Sequence, residues 1–332
     1  MGVTSIEWAD CSWNVVRGCS RVSEGCRNCY AERIAVRFSG PGQPYEGFAD
    51  VPAGRRHSQT GAATCGVRGK WTGRVELIPS KLDEPLRWKR PRRVFVNSMS
   101  DLFHEALPDE AIDRVFGVMA ASPRHTFQVL TKRPARMLKW ATRNNVQAYV
   151  QHEHAHHDPS PERNVWKIWP LPNVWLGVSV EDQATADERI PLLLQTPAAV
   201  RFISVEPMLE QIDLCLTAGS EVSGAEGAAR GIHWVIVGGE SGPGARPFDI
   251  AWARSVIAQC REAGVACFYK QAGCNVIVRD VDDMGPDDYR AWDDVHRGEP
   301  FPPEGVRLRL RSPKGGDPAE WPEELRVREF PR

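Results

Sequence analysis

No stretch of this sequence stays apolar long enough to span a bilayer: no run approaches the ~20 residues a spanning helix needs. A dominant charge is missing as well. With 42 Lys and Arg against 43 Asp and Glu, the formal net charge is −1, so the whole-molecule balance points to neither nucleic acid nor a membrane surface. The opening residues, Met1 to Trp8, lack the basic region and apolar core of an export signal. Nine cysteines, an odd number without such a signal, argue against a disulfide framework. The expectation is a soluble cytoplasmic protein without membrane partners.

What is present is a rhythm. Short β-branched or aromatic runs, each ending in polar residues, alternate with helical patterns along the 332 residues. Val94–Val96 ends in Asn97, Ser98 and Asp101, before a helix from Asp109 to Ala121. Thr126–Leu130 ends in Thr131, Lys132 and Arg133, with a helix opening after Pro134. Val174–Val180 ends in Glu181, before a helix to Gln195, and Val200–Val205 ends in Glu206. Trp234–Val237 ends in Gly238, Gly239, Glu240 and Ser241, before a helix from Ile250 to Ala263. Val265–Tyr269 ends in Lys270 and Gln271. Such repetition predicts an α/β fold, a complete or partial (β/α) TIM-type barrel with parallel strands. No glycine-rich dinucleotide fingerprint follows the first strand, which disfavours a doubly wound sheet. The barrel would occupy residues 1–274, with insertions near 39–72, 145–170 and 217–231. Residues 275–332, acidic at first, would form a C-terminal appendix packed on it.

Cys19, Cys26 and Cys29 form a C-x6-C-x2-C array, with Gly18 and Gly25 each preceding a cysteine and a helical pattern from Tyr30 to Phe38 following. Glycines let a backbone turn tightly around a bound object. Structural zinc normally takes four closed ligands. A [4Fe–4S] cluster held by three thiolates keeps one iron open for an exogenous ligand, which makes it a place for chemistry. An iron–sulfur centre, zinc with a distant fourth ligand, and free redox thiols are the three readings the spacing admits.

Ligands of parallel α/β folds bind beyond the carboxyl ends of the strands. The candidate cofactor-binding residues are accordingly Asn97, Ser98, Lys132, Ser179 and Glu181, together with Glu206, Gly238, Gly239, Glu240 and Lys270. The plainer alternatives are wet loops, a glycine-rich turn at 238–244, and an ion pair of Glu206 with Arg201 or Lys132. Arg68 to Arg93 holds nine Lys or Arg with Trp71 and Trp88 interleaved. It reads either as a DNA-backbone surface with stacking rings or as a basic face paired with the acidic stretch. His152, His154, His156 and His157 have the composition of a metal site, but their polar surroundings predict a solvated loop.

These residues resemble a known family. Trp13-Asn14, Gly18-Cys19, Cys26, Cys29-Tyr30-Ala31, the 97–103 segment, Leu130–Pro134, Trp175–Glu181, Val237–Gly242 and Glu320–Pro331 are similar to the phage-associated three-Cys-motif proteins, across nearly the whole chain. That family in turn resembles radical S-adenosylmethionine enzymes. The resemblance implies a [4Fe–4S] cluster on Cys19, Cys26 and Cys29, S-adenosylmethionine on its open iron, and an electron donor such as flavodoxin or ferredoxin. A 5′-deoxyadenosyl radical would then act on a substrate, with DNA repair or base modification as the candidate role. The usual radical-enzyme spacing is C-x3-C-x2-C with an aromatic before the last cysteine; here the first gap is six and Tyr30 follows the last cysteine. The Gly-Gly-Glu signature of those enzymes follows the second strand, whereas here it falls at 238–240. The alternative function is a nucleic-acid-binding module with a structural zinc or a structural cluster and no radical chemistry.

Overall fold

The computed structural model describes residues 4, 6–50, 69–158, 165–216, 231–280, 284, 302–308 and 310–331. The predicted rhythm becomes seven strands: β1 (Cys11–Trp13), β2 (Arg93–Val96), β3 (Thr126–Thr131), β4 (Val174–Val180), β5 (Val200–Val205), β6 (Trp234–Gly238) and β7 (Ala266–Gln271). Their hydrogen-bonded order follows the chain order from β1 to β7, and the registered pairs are parallel. A sequential order requires every crossover to step the same way. That distinguishes a singly wound, barrel-type sheet from a doubly wound one. Strands β1 and β7 are not paired with each other in that order, so of the two forms expected this is the partial TIM-type barrel. Strand β6 is buried at every position and β4 at all but one, the pattern of strands covered on both faces.

The longer helices among the described residues are α1 (Tyr30–Arg37), α2 (Asp109–Ala120), α3 (Pro134–Ala141), α4 (Val146–Ala155), α5 (Gln183–Gln195) and α6 (Ile250–Ala263). Local chemistry sets their ends. Pro134 opens α3 at its first position, where a missing N–H costs nothing. Asp249 caps α6 by accepting the Ala251 amide at 2.9 Å, and Gly264, at φ 68°, closes it.

The described residues pack as two compact units. One comprises residues up to 178 with 192–201; the other comprises 179–191, 202–216 and residues from 231 onward. In the first, Cys11 pairs with Val94, Arg93 with Thr126, and Phe127 with Val174. In the second, Phe202 pairs with Trp234, and Trp234 with Ala266. Here the end of the chain closes the free edge of β7. The Tyr269 amide donates to Val327 O and the Glu329 amide to Cys267 O, both at 2.8 Å. Trp234 Nε1 donates to Glu329 O at 2.9 Å.

Two expected loops contain regular structure. In the 39–72 stretch, Ala49–Asp50 pairs antiparallel with Lys70–Trp71; residues 51–68 lie outside the described residues. The predicted solvated loop around the histidines is overturned over 146–155, which is helix α4. Val146, Val150 and His154 recur every four residues and are all buried, so a histidine fills a core position that an aliphatic side chain would have announced. The 217–230 insertion and most of the acidic stretch lie outside the described residues.

Candidate metal centre

Gly18 shapes the cysteine loop. Its φ of +89° is in the left-handed region, and a Cβ there would stand 1.9 Å from the Arg74 carbonyl oxygen, so no other residue fits. Cys19 follows. A single 3-10 turn, Glu24–Cys26, places Cys26, whose amide donates to Ser23 O at 3.0 Å. The Cys29 amide then donates to Cys26 O at 3.3 Å, and Cys29 becomes the residue that caps α1. All three thiols are free and partly buried.

Cys19 and Cys29 are governed by burial and by the charged groups around them. Burial pushes the Cys19 thiol up to about 12; Asp101 adds to the rise, Arg133 opposes it, and Cys29 and Cys26 raise it further. Burial also raises Cys29, with the backbone amides of Glu32 and Ala31 in the first turn of α1 pulling the other way and Cys26 adding to the rise. Thiols that hinder one another's ionisation become compatible as thiolates once a multivalent cation sits among them. The donor set therefore fits a metal group.

A buried arginine braces this loop. Arg133, 5% exposed, directs Nη1 to Asp101 Oδ2 at 3.0 Å and Nε to Glu105 Oε2 at 2.8 Å. Its Nη2 donates to the Ser20 carbonyl at 3.1 Å and to Ser20 Oγ at 2.8 Å, and Nη1 also stands 3.9 Å from Cys19 Sγ. Asp101 is fixed by Thr131 Oγ1 at 2.7 Å and by the amides of Phe103 and Lys132 at 3.0 and 3.1 Å. His104 completes the brace. The Ala106 amide donates to its Nδ1 at 3.1 Å, so the ring proton lies on Nε2, which donates to Ser20 Oγ at 2.8 Å. Burial, assisted by the positive charge of Arg133, lowers the His104 pKa and favours this neutral form.

Asn97, Ser98 and Lys132 lie in the same unit. Asn97, at φ 61°, accepts the Val15 and Val16 amides on Oδ1, each at 3.1 Å, while its Nδ2 is buried with no partner. Ser98 Oγ donates to Asn14 at 3.0 Å, and its carbonyl accepts the Tyr30 hydroxyl at 2.6 Å. Lys132 gives its amide to Asp101, and its neighbour Arg133 reaches Cys19. Ser20, His104 and Glu105 were not legible as site residues, because only tertiary packing brings them to Arg133.

The second unit holds the other strand-end residues. Glu206 Oε1 accepts Lys270 Nζ at 2.8 Å, and Ser204 Oγ stands 3.3 Å from Oε2. Arg201 Nε donates to the Leu193 and Thr196 carbonyls. Ser179 Oγ donates to the Glu206 carbonyl at 3.0 Å. Glu181 is fully buried against Arg189 at 3.1 Å. Glu240 is gripped by Arg246 through Nη2 at 2.7 Å, Nε at 3.1 Å and the backbone amide at 2.9 Å. The neighbouring glycines serve packing: a Cβ on Gly238 would stand 2.7 Å from Glu206 Oε1, and one on Gly239 2.2 Å from the Ala272 carbonyl oxygen.

In the basic segment, Arg87, Lys89 and Arg90 are exposed. Arg93 pairs with Asp10 at 3.3 Å. Trp88 is buried, edge-on to His125 at 5.6 Å, so it offers no face for a base to stack on. Arg68 lies outside the described residues. No helix among the described residues is long and apolar enough to cross a membrane.

Residues 3–296 match the model of a family described as Protein of unknown function (DUF5131). No curated protein and no solved structure matches the chain.

Proposed function

The chain belongs to the DUF5131 family of unknown function, and from its own residues we propose an iron–sulfur enzyme of the radical S-adenosylmethionine type. The observation that carries the reading is the placement of three free, partly buried cysteines, Cys19, Cys26 and Cys29, on one loop that Gly18 shapes. Structural zinc takes four closed ligands, whereas three thiolates on a [4Fe–4S] cluster leave one iron open for chemistry.

In this reading Cys19, Cys26 and Cys29 would hold a [4Fe–4S] cluster that leaves one iron open to S-adenosylmethionine. When bound, the cluster supplies the single electron that cleaves the sulfonium to methionine and a 5′-deoxyadenosyl radical. Arg133 balances thiolate charge beside Cys19, and the first-turn amides of α1 face Cys29. An electron donor such as flavodoxin or ferredoxin is required. The free cysteines suit a reducing cytoplasm. DNA is the substrate class we favour, on the exposed Arg87, Lys89 and Arg90. Chemistry on a base would need it unstacked or flipped.

Anaerobic reconstitution with iron and sulfide tests the proposal. The protein should turn brown, hold about four irons, and release 5′-deoxyadenosine from S-adenosylmethionine on reduction. Colourless protein carrying one tight zinc and refusing iron would instead favour the zinc-bearing nucleic-acid module. A loaded cluster that never cleaves S-adenosylmethionine would make the cluster structural. For the substrate, replacing Arg87, Lys89 and Arg90 with Ala should flatten the salt dependence of DNA binding, since each phosphate contact releases counterions. No measurable DNA binding at low salt would move the substrate to another class and leave the cluster assignment in place.

A further inference from the structure

Helix α4 carries a group that the proposed cluster chemistry does not use. His152, Glu153 and His156 bring one ligand atom each within 4.8 Å of one another. The two imidazoles meet through Nε2 atoms 3.4 Å apart, with their rings at 85°. Good hydrogen bonds of this kind sit nearer 2.9 Å, so this approach is long for one. It matches a metal's bite instead: two nitrogens on tetrahedral zinc, each at 2.0–2.1 Å, stand about 3.3 Å apart.

The third donor is held from behind. The Glu153 Cβ packs against α2 at Gly117, where an added Cβ would stand 2.5 Å from it. Its stem is therefore fixed by helix packing while its carboxylate stays near both rings. His152 lies in the last turn of α4 and His156 is its C-cap. A cation there meets the negative end of the helix dipole. His152 and His156 are exposed, so an ion has direct access, and their removal opens no cavity.

We propose that His152, Glu153 and His156 form a surface site for a divalent transition ion of the zinc class, with water completing the coordination. The ion would pin the last turn of α4 and, through Glu153, its seat on α2. The site stands independently of the cysteine chemistry.

The test uses the full chain, stripped of metal, titrated with cobalt(II) and then challenged with zinc(II). The expected result is one equivalent of cobalt whose visible d–d absorption comes without thiolate-to-cobalt charge transfer, separate from any cobalt that Cys19, Cys26 and Cys29 take with it, and displaced by zinc. The His152→Ala/His156→Ala variant should keep the far-ultraviolet spectrum of the parent and lose that equivalent, and Glu153→Gln should weaken it. Cobalt bound equally well by the double variant, or bound in the parent only with thiolate charge transfer, would overturn the proposal.

Discussion

Arg133 Nη1 stands 3.0 Å from Asp101 Oδ2, inside a structure that leaves neither side chain more than a few per cent exposed. The same nitrogen faces Cys19 Sγ at 3.9 Å, so one cation answers to a buried carboxylate and to a candidate metal ligand. Removing it leaves Asp101 as an uncompensated buried charge. Arg133→Ala should cost about 3–5 kcal/mol, read by urea unfolding of the metal-free chain. The paired change Arg133→Met with Asp101→Asn should recover part of the loss. A cost below about 1 kcal/mol, typical of a surface pair, would mean that the bridge does not brace the loop.

The cysteines should separate by location. Cys26→Ala and Cys29→Ala should each abolish the brown colour and most of the bound iron. Cys274→Ala, whose Sγ donates to the Gly242 carbonyl at 3.1 Å, should retain both. Iron assays per folded chain decide it, and equal loss in all three variants would count against a dedicated three-thiol site.

The Gly-Gly-Glu segment tests packing against ligand approach. Gly239→Ala drives a Cβ to 2.2 Å from the Ala272 carbonyl oxygen, so the backbone must shift at the β6–β7 join. A cost of about 1–3 kcal/mol is expected, visible as a lower melting temperature with iron content per folded chain unchanged. An unaltered melting temperature with S-adenosylmethionine binding lost would transfer the glycine to cofactor recognition.

His125 should make the fold acid-sensitive. Its Nε2 lies 3.1 Å from the Pro85 carbonyl, to which it donates, leaving Nδ1 buried without a partner. Burial lowers its pKa, with the positive charges of Arg124 and Arg92 adding to the fall and the Pro85 and Trp88 backbones opposing it. The unfolded chain then binds the proton more readily than the native one. Stability is full above the unfolded value near 6.5 and is lost as pH falls through the lower native value. Denaturant midpoints at pH 7.5 and 5 should differ more for the parent than for His125→Phe, which sits beside Trp88 and Phe127. Equal differences would place the acid sensitivity elsewhere.

The sheet was legible because its signal is local. Val174–Val180 and Val200–Val205 are β-branched runs bounded by polar residues, and they are strands over those same residues. Ile250–Ala263 carried its own start and stop, Asp249 and Gly264. Helix α4 was hidden because His154 occupies the third position of its buried face and breaks the apolar period. The cysteine trio stood out by spacing alone. Its brace did not: Ser20, Asp101, His104 and Arg133 meet only after β2 and β3 have paired, and nothing at 20 or 104 marks the meeting beforehand. The strand-end acids were visible as acids, yet their partners, Lys270 for Glu206 and Arg246 for Glu240, depend on how the surrounding strands and loops fold.

The segment from Val327 to Phe330 closes the edge of β7 and covers Trp234, whose ring lies 5.3 Å from that of Phe330. During synthesis these residues emerge after every strand they protect. Until they do, the nascent chain carries an unpaired strand edge and an uncovered tryptophan, the features that recruit other polypeptides. A ribosome stalled before Val327 would therefore display a sticky intermediate, and a bulky tag placed directly after this segment would compete with its docking.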